Sequence, residues 1–443
     1  MKNPELSFPV KNIHGGAKPG HFKNTAECAT VTMPPPKTVL IPMQQHIGAP
    51  CTPTVGVGDT VYVGTKIGDC DKFVSSPIHS SVSGTVSKIT TAYLTGGMEV
   101  PAIEIECDGN QTPDPSISPV KVETEEDLTK AVRDMGLVGL GGAGFPTHVK
   151  LTRQPDKPLD TLIINGAECE PYITTDYREC IESPEDVYDG IYTLLKILDF
   201  KKVVIAIEDN KPKAIEQLLK ISSDKKDAEN RVTVMKLKSR YPQGAEKVLI
   251  YTATGRVLPQ GKLPADVGCV VMNITSVAAI AKYIKTGMPL VSKRLTIDGG
   301  AVNEPKNVSV PIGTKISEVL EFCGGLKSEP EKILVGGPMM GFAIPHTDFP
   351  IVKQNNAVLC LTKSEAKTEE SLACIRCGKC AMACPMNISP FRVAGAIKRE
   401  NTDDAEKFGA FYCIECGSCA YACPSKRPLV QTMRIAKQKC RKK

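Results

Sequence analysis

A run of four cysteines closed by a proline, Cys374-Ile-Arg-Cys-Gly-Lys-Cys-Ala-Met-Ala-Cys-Pro385, decides the fold of the C-terminal region. The same spacing returns in Cys413-Ile-Glu-Cys-Gly-Ser-Cys-Ala-Tyr-Ala-Cys-Pro424. In each run, three thiolates can surround one 4Fe-4S cluster, while the fourth cysteine points toward the other cluster. The alternative, a pair of zinc knuckles, leaves the third cysteine and the Cys-Pro of each run unexplained. The runs therefore predict two 4Fe-4S clusters.

Crossed ligation assigns the eight cysteines to two centres. One is predicted to use Cys374, Cys377, Cys380 and Cys423, and the other Cys413, Cys416, Cys419 and Cys384. Residues 366–443 are accordingly predicted to form a bacterial-type two-cluster ferredoxin domain. Nine of the 18 cysteines lie between Cys374 and Cys440. The other nine and the six histidines are isolated, and we expect no metal site among them.

Composition describes a soluble, multidomain chain. It has 443 residues, 41% of them apolar and 23% charged, with a mean hydropathy of -0.12. No apolar run reaches a membrane-spanning length, and Met1–Val10 lacks the apolar core of a secretory signal, so a cytosolic chain is expected. The net charge of +6 includes a tail, Lys426–Lys443, with eight Lys or Arg and no acid. Such a tail suits an acidic partner or a membrane surface, or is a solvated, partly disordered end.

The N-terminal part, residues 1–118, is predicted to be a β domain because short alternating runs are joined by glycine turns. The segments Gly58–Thr65 and Ser76–Val86 resemble those of lipoyl or biotinyl-type barrel-sandwich domains. Those domains carry a cofactor on a lysine at a hairpin tip. Here the matching stretch has only Lys72, without the flanking signature, so a structural role is expected.

The middle of the chain predicts strands alternating with helices, which favours a Rossmann-like α/β domain over 124–287 with a mostly parallel sheet. Strands are expected at 162–164, 203–207, 232–235 and 269–272, and helices at 185–199, 211–222, 244–253 and 276–285. Residues 288–345 are predicted to form a small β-rich module. The predicted fold class is thus multidomain, α/β plus β.

A glycine-rich loop, Gly136-Leu-Val-Gly-Leu-Gly-Gly-Ala-Gly-Phe-Pro-Thr147, is the candidate nucleotide loop. Its bare backbone N–H groups could approach an anion, although such a loop can also be a tight connection between helices. Three polar motifs, Asn165–Pro171, Tyr241–Glu246 and Asn273–Ser276, each begin where a predicted strand ends. Ligands of open α/β sheets bind at the carboxyl ends of strands, so these motifs predict one site.

The loop from Gly139 to Thr147 resembles the flavin loop of the NADH-binding flavoprotein subunit of respiratory complex I. Leu140 and Ala167 depart from that subunit, which has Arg and Asp there, and its single cluster has a distant fourth cysteine. Over nearly its full length the chain is more similar to the RnfC family of Rnf complexes, which are membrane ferredoxin:NAD+ oxidoreductases. Further matching segments are Gln45–Pro50, Leu263–Gly268 and Gly336–Gly341. Residues 288–326 resemble the β-grasp module of these families.

The resemblance implies noncovalent FMN and NAD(H) as ligands of the α/β domain. The residues implied for FMN are Gly139, Gly141, Gly142, Lys150, Asn165, Glu168, Tyr241, Gly244 and Asn273. Those implied for NAD(H) are Phe145, Glu170 and Glu246. A phenylalanine suits the flat face of adenine, and carboxylates suit ribose hydroxyls. Core packing of Phe145 and simple solvation of the glutamates are the alternatives.

Two cofactor types in one chain predict an electron-transfer subunit. A flavin can take hydride from NADH and pass single electrons to iron–sulfur centres. The resemblance implies a peripheral subunit on the cytoplasmic face of the membrane, whose partners are the other subunits and, indirectly, ferredoxin. No nucleic-acid partner is expected. The alternatives are a flavin and iron–sulfur corrinoid reductase and a redox sensor that binds nucleotide without catalysis.

Overall fold

The computed structural model describes residues 10–154, 156–225 and 229–441. Most of the Met1–Val10 stretch, where we expected no secretory signal, lies outside the described residues. Lys442 and Lys443 of the basic tail also lie outside them. Within the described ranges, none of the helices combines the length and the apolar character needed to cross a membrane.

The N-terminal domain consists of short antiparallel strands in two sheets, ordered β2-β8-β7-β4 and β3-β5-β6. Its longest hairpin pairs β7 with β8, from Gly84 opposite Cys107 to Tyr93 opposite Glu99. Alternate residues of β8, among them Ile103 and Ile105, are fully buried in the core of the domain. The strands up to this point are β1 Val31–Thr32, β2 Thr38–Pro42, β3 Thr52–Pro53, β4 Thr60–Val61, β5 Lys66–Asp69, β6 Ile78–His79, β7 Gly84–Tyr93 and β8 Glu99–Cys107.

The α/β domain has a four-stranded parallel sheet, ordered β11-β10-β9-β12. Successive residues of β9 face opposite sides, since Leu162 and Ile164 join one apolar cluster and Ile163 the other. The four predicted strands and four predicted helices are confirmed to within a few residues, whereas α2 and α3 were not predicted. The elements are α1 Glu125–Asp134, α2 Thr147–Leu151, β9 Thr161–Gly166, α3 Thr175–Glu182, α4 Pro184–Leu198, β10 Lys202–Glu208, α5 Pro212–Asp224, β11 Val232–Leu237, α6 Glu246–Thr254, β12 Cys269–Asn273 and α7 Ile274–Thr286, with a 3-10 turn at Pro264–Val267.

A mixed six-stranded sheet, ordered β1-β14-β13-β17-β15-β16, forms the third unit. It takes in Val31–Thr32 and Ala357–Leu361, which lie on either side of the predicted 288–345. The first of these pairs parallel with β14 and the second lies between β13 and β15. The elements of this region are β13 Ser292–Asp298, β14 Lys306–Pro311, α8 Ile316–Phe322, β15 Lys332–Val335, β16 Phe342–Ile344 and β17 Ala357–Leu361.

The C-terminal domain is helical, and the basic tail belongs to it. Met433, Ala436 and Cys440 of α13 are buried against α10 and α11, and Leu429 packs with Cys380 and Cys419, so a solvated, disordered end was the wrong interpretation for this segment. The three- and four-residue spacing of these apolar side chains places them on one face of the helix, and this face is buried in the domain. The elements are α9 Lys379–Met382, α10 Pro390–Lys398, α11 Thr402–Lys407, α12 Ser418–Tyr421 and α13 Leu429–Arg441, with a 3-10 turn at Ala410–Tyr412.

Residues 10–32, here called the N-terminal arm, form hydrogen bonds with more than one of these units. Lys11 extends the parallel sheet beside β11, because its N–H donates to Lys236 O at 3.0 Å. Ala17 exchanges two backbone hydrogen bonds with Tyr241, of 2.7 and 3.0 Å. Asn307 Nδ2 donates to Thr25 O at 2.8 Å, just before the arm enters the six-stranded sheet.

The close packing of α4 on α7 supplies a stability test. A Cβ at Gly190 of α4 would overlap the carbonyl oxygen of Val277 on α7. We therefore expect Gly190→Ala to lower the free energy of unfolding by about 1–3 kcal/mol, measured by urea denaturation followed by circular dichroism. Gly96→Ala is the matched control, because a Cβ there meets nothing within 4 Å. Equal midpoints for the two variants would contradict this packing.

Candidate functional site

The candidate site lies at the carboxyl ends of three parallel strands. Asn165 near the end of β9 and Asn273 at the end of β12 stand opposite each other in the sheet register. Tyr241 follows β11 on the other side of β10. The three polar motifs predicted to form one site are thus brought to one edge of the sheet, where α/β proteins bind ligands.

The glycine-rich loop closes on itself beside this edge. Gly139 N–H donates to Phe145 O at 2.9 Å, while Leu140 is buried at 2% exposure. A Cβ at Gly142 would meet no atom within 4 Å, whereas one at Gly141 would lie 2.8 Å from Asn273 Nδ2. The loop does connect α1 with α2, but it also holds exposed backbone beside the strand ends. Exposed backbone of this kind fits the close approach of a phosphate.

Asn165 and Gly244 are packed directly against each other. Asn165 Nδ2 donates to Gly244 O at 2.8 Å, and a Cβ at Gly244 would overlap the Ala167 carbonyl oxygen. Asn273 caps α7, since its Oδ1 accepts from Thr275 N–H at 2.9 Å. Both asparagines therefore already have partners that fix their orientation at the strand ends.

Gln243 is a residue that the sequence did not single out. It is fully buried, and neither atom of its side-chain amide has a hydrogen-bond partner among the described residues. Buried polar groups without a partner are uncommon in folded proteins, and they fit a ligand that would supply the missing bonds. Its position between Tyr241 and Gly244, inside a predicted motif, was the signal available.

Lys150 and Glu246 join the two predicted ligand subsites. Their side chains form an ion pair of 3.6 Å, and Lys150 Nζ also donates to Val271 O at 3.2 Å. Both side chains are partly exposed. A residue implied for FMN therefore lies beside one implied for NAD(H).

Glu168 points toward α3 and away from the loop. Its carboxylate accepts from Asp176 N–H at 2.7 Å and caps the helix, and burial raises the pKa of Glu168 to about 7 against the opposing charge of Lys23. The Lys23 ammonium, on the N-terminal arm, donates to the carbonyl oxygens of Glu168 at 2.9 Å, Glu170 at 2.8 Å and Ile173 at 2.5 Å. The side chain that was predicted to contact FMN thus holds the following helix.

Glu170 lies against the Gly336–Gly341 loop. Its Oε2 accepts from Met339 N–H at 3.0 Å, and its buried Oε1 has no partner among the described residues. Burial raises the pKa of Glu170 to about 7. A Cβ at Gly337 would overlap this carboxylate, so a glycine is required at that point of the loop. Phe145, the third residue implied for NAD(H), is partly exposed at the end of the glycine-rich loop.

Tyr241 connects the strand ends to the cysteine-rich domain. It is 2% exposed and packs with Ala17 of the arm and with Cys416. Its hydroxyl oxygen has no hydrogen-bond partner in the described chain. Gly16 N–H donates to Ala383 O at 2.9 Å, next to Cys384. The arm thus lies between the candidate ligand site and one cysteine set, and no sequence spacing indicated this.

Each predicted set of four cysteines lines a cavity of its own. One cavity is lined by Cys384, Cys413, Cys416 and Cys419, here called the inner cavity, and the other by Cys374, Cys377, Cys380 and Cys423, the outer cavity. Within the described residues, no three His, Cys, Asp or Glu side chains close around a single-ion position. Burial raises the pKa of Cys413 to about 11 and that of Cys419 to about 12. Coordination to a metal ion deprotonates a thiol outright, so these raised pKa values do not oppose a metal-ligand role.

Family models divide the chain into four parts. They match a RnfC barrel sandwich hybrid domain at residues 11–110, a Nuo51 FMN-binding domain at 132–282, an SLBB domain at 294–343 and a 4Fe-4S dicluster domain at 373–427. The chain is therefore an iron–sulfur flavoprotein with FMN and two 4Fe-4S clusters as its cofactors.

Curated relatives identify the family. The RnfC-type component of the Na(+)-translocating ferredoxin:NAD(+) oxidoreductase complex of Acetobacterium woodii is 45% identical over 96% of each chain. The proton-translocating counterpart of Clostridium ljungdahlii is 44% identical over 98% of this chain and 94% of that one. The chain belongs to this RnfC family of ion-translocating ferredoxin:NAD(+) oxidoreductase complexes. Among solved structures, an air-oxidized NAD+-reducing [NiFe]-hydrogenase covers 70% of this chain and 63% of its own, at 20% identity and a TM-score of 0.49.

The buried Glu170 generates a pH prediction. Its folded pKa of about 7 lies above the ordinary value of 4.5, so the neutral acid is favoured in the folded state. The stability of the parent protein relative to Glu170→Gln should fall by about 1–3 kcal/mol as the pH rises from about 4.5 to about 7, and then level off. Urea denaturation of both proteins across this range measures it. A difference that does not change with pH would contradict the burial of an ionisable group here.

Proposed function

We propose that this chain is the peripheral electron-transfer subunit of a membrane-bound ferredoxin:NAD+ oxidoreductase. It exchanges hydride between NAD(H) and FMN and passes single electrons through two 4Fe-4S clusters to partner subunits that couple electron flow to ion transport. The observation that carries the proposal is the packing of Tyr241, at the candidate flavin site, on Cys416, a predicted cluster ligand. With these assignments, the two proposed cofactor sites would be adjacent within one chain.

FMN binding is assigned to the loop and to the strand ends. Gly139, Gly141 and Gly142 would present backbone to the phosphate, with Lys150 as a nearby cation. Asn165, Tyr241, Gly244 and Asn273 would surround the rest of the FMN molecule. Gln243, whose side-chain amide has no hydrogen-bond partner among the described residues, would join them. Glu168 would act through α3. Bound FMN supplies the conversion between two-electron hydride chemistry and one-electron transfer.

NAD(H) binding is assigned to Phe145, Glu170 and Glu246. Phe145 would stack on the adenine and Glu246 would accept from ribose hydroxyls. Glu170 holds the Gly336–Gly341 loop through Met339 N–H, and its second carboxyl oxygen is left to accept a further hydrogen bond. Glu246 forms an ion pair with Lys150, which would place the dinucleotide beside the flavin.

The crossed ligation that we propose assigns one cluster to each of the two cavities. The inner cluster would be held by Cys384, Cys413, Cys416 and Cys419, and the outer one by Cys374, Cys377, Cys380 and Cys423. In their finer folds, we propose that the α/β domain is Rossmann-like, that the module at 288–345 is a β-grasp fold and that the cysteine-rich domain is a bacterial-type ferredoxin. Docking on membrane subunits would place the chain on the cytoplasmic face of the membrane.

Reduction by NADH tests the function. Anaerobic NADH should bleach the flavin absorbance and then produce the electron paramagnetic resonance signals of reduced clusters in the complete protein. Gly142→Val should lose most of its FMN and its cluster reduction by NADH while keeping its iron, because its side chain would fill the open space beside the loop backbone. Gly96→Val, also in open space, is the control. Full flavin content in Gly142→Val would overturn the loop assignment.

Cluster assignment is tested with Cys384→Ser. The parent protein should hold about eight iron atoms, as two four-iron clusters require. The variant should hold fewer, and only the signal of the inner cluster should change. Cys440→Ser is the control, since this buried thiol of the same domain lines neither cavity. Zinc in place of iron, or a changed outer-cluster signal, would contradict the crossed arrangement.

A further inference from the structure

The two cavities differ in their exposure to solvent. Cys384, Cys416 and Cys419 of the inner cavity are buried, and Tyr241 and Met339 cover Cys416. At the outer cavity, Cys374 and Cys377 are exposed. Every residue from 367 to 377 is exposed as well. A cluster in the outer cavity would therefore have one edge at the molecular surface.

Apolar side chains surround this exposed edge. Ile375, between the two exposed cysteines, is 68% exposed, and Leu372 is 62% exposed. The backbone of Leu372 is held in place, because its N–H donates to Ser425 O at 3.0 Å. Large apolar residues held in the open beside a functional group mark an interaction surface when they lie together.

The charged side chains that line the outer cavity are basic. Arg376 and Arg427 line the outer cavity, and its lining includes no carboxylate. Lys379 is exposed one turn further on. In the described part of the chain, none of these three cations forms an ion pair, whereas the nearby Lys426 is paired with Glu369 at 3.1 Å. The edge therefore carries unpaired positive charge.

Two basic groups on the C-terminal helix, by contrast, already share a carboxylate partner. Arg434 and Lys437 of α13 both bind the Glu415 carboxylate, at 2.8 and 2.6 Å. The outer cavity is thus a stronger candidate for attracting an acidic partner than this part of the tail, for which the sequence left an acidic partner, a membrane surface and a solvated end as alternatives.

We propose that the surface formed by Leu372, Ile375, Arg376, Lys379 and Arg427 docks the acidic face of a one-electron carrier protein over the outer cluster. The inference rests on the proposed function, because it needs a cluster in the outer cavity. An apolar centre with a rim of one charge sign is the pattern of transient, electrostatically steered interfaces. The buried inner cluster faces the flavin site, so this edge is the exposed side of the electron path.

An anionic membrane would also attract basic and apolar groups. The apolar residues here lie on an irregular ligand loop, whereas membrane-surface binding is typical of an amphipathic helix with a continuous apolar face. The basic helix of this domain, α13, buries its apolar face inside the protein. A protein partner is therefore the occupant that the surface fits.

Binding of an acidic two-cluster ferredoxin, labelled with a fluorophore, tests the proposal on the complete chain with its FMN and iron. We expect Arg376→Glu to raise the Kd about tenfold or more at low salt, with the difference shrinking as salt rises. Ile375→Ser should weaken binding at all salt concentrations. Lys220→Glu and Val57→Ser, at exposed sites of the other domains, are the matched controls and should bind like the parent.

Cluster signals and NADH reduction are measured in the same samples. Arg376 has a positive φ of 56°, so Lys379→Glu replaces it if the Arg376→Glu variant loses the outer-cluster signal. Equal ferredoxin affinity for Lys379→Glu and Lys220→Glu would overturn the proposal. So would loss of binding to phosphatidylserine vesicles without any loss of ferredoxin binding. A parent protein whose clusters are not reduced by NADH would refute the proposed function itself, which is a distinct result.

Discussion

The packing of Tyr241 on Cys416 is the constraint around which the molecule is organised. It joins the end of a parallel strand to a cluster loop, and both must stay close for electrons to pass between a flavin and an iron–sulfur centre. A domain on a free linker could not keep that contact. The N-terminal arm holds it, because Ala17 is hydrogen-bonded to Tyr241 on one side while Gly16 is bonded to Ala383 on the other.

Two buried lysines form hydrogen bonds with backbone carbonyl oxygens of the loops around this contact. Lys23 donates to three carbonyl oxygens of the segment after β9. Lys353, also buried, donates to Pro77 O at 2.6 Å and to Gly136 O at 2.7 Å, and burial lowers the pKa of Lys353 to about 7. This second lysine ties the barrel-sandwich domain to the first residue of the glycine-rich loop. The N-terminal domain is thus linked through Lys353 to the start of the glycine-rich loop.

Sequence reasoning succeeded where a signal is local. The apolar runs predicted all four parallel strands, because such a pattern reports on neighbouring residues. It could not foresee that Glu168 caps α3, since a carboxylate near a strand end looks the same whether it faces a ligand or a helix. The arm contacts of Ala17 and Lys23 join residues far apart in the chain, and no periodicity encodes them. The tail was misread because its charge drew attention away from the apolar spacing of Leu429, Met433 and Ala436.

The six-stranded sheet has a consequence for how the protein is made. Its edge strand, Val31–Thr32, emerges early from the ribosome, yet its partner, Lys306–Pro311, is synthesised more than half a chain later. Domains generally fold as units during synthesis, N-terminal ones first. The barrel-sandwich domain can follow that order, but the arm beside it must wait for the third unit and the cysteine-rich domain. The pairing of the arm is therefore a late step in folding, and a chain truncated before Lys306 would leave Val31–Thr32 without its partner strand.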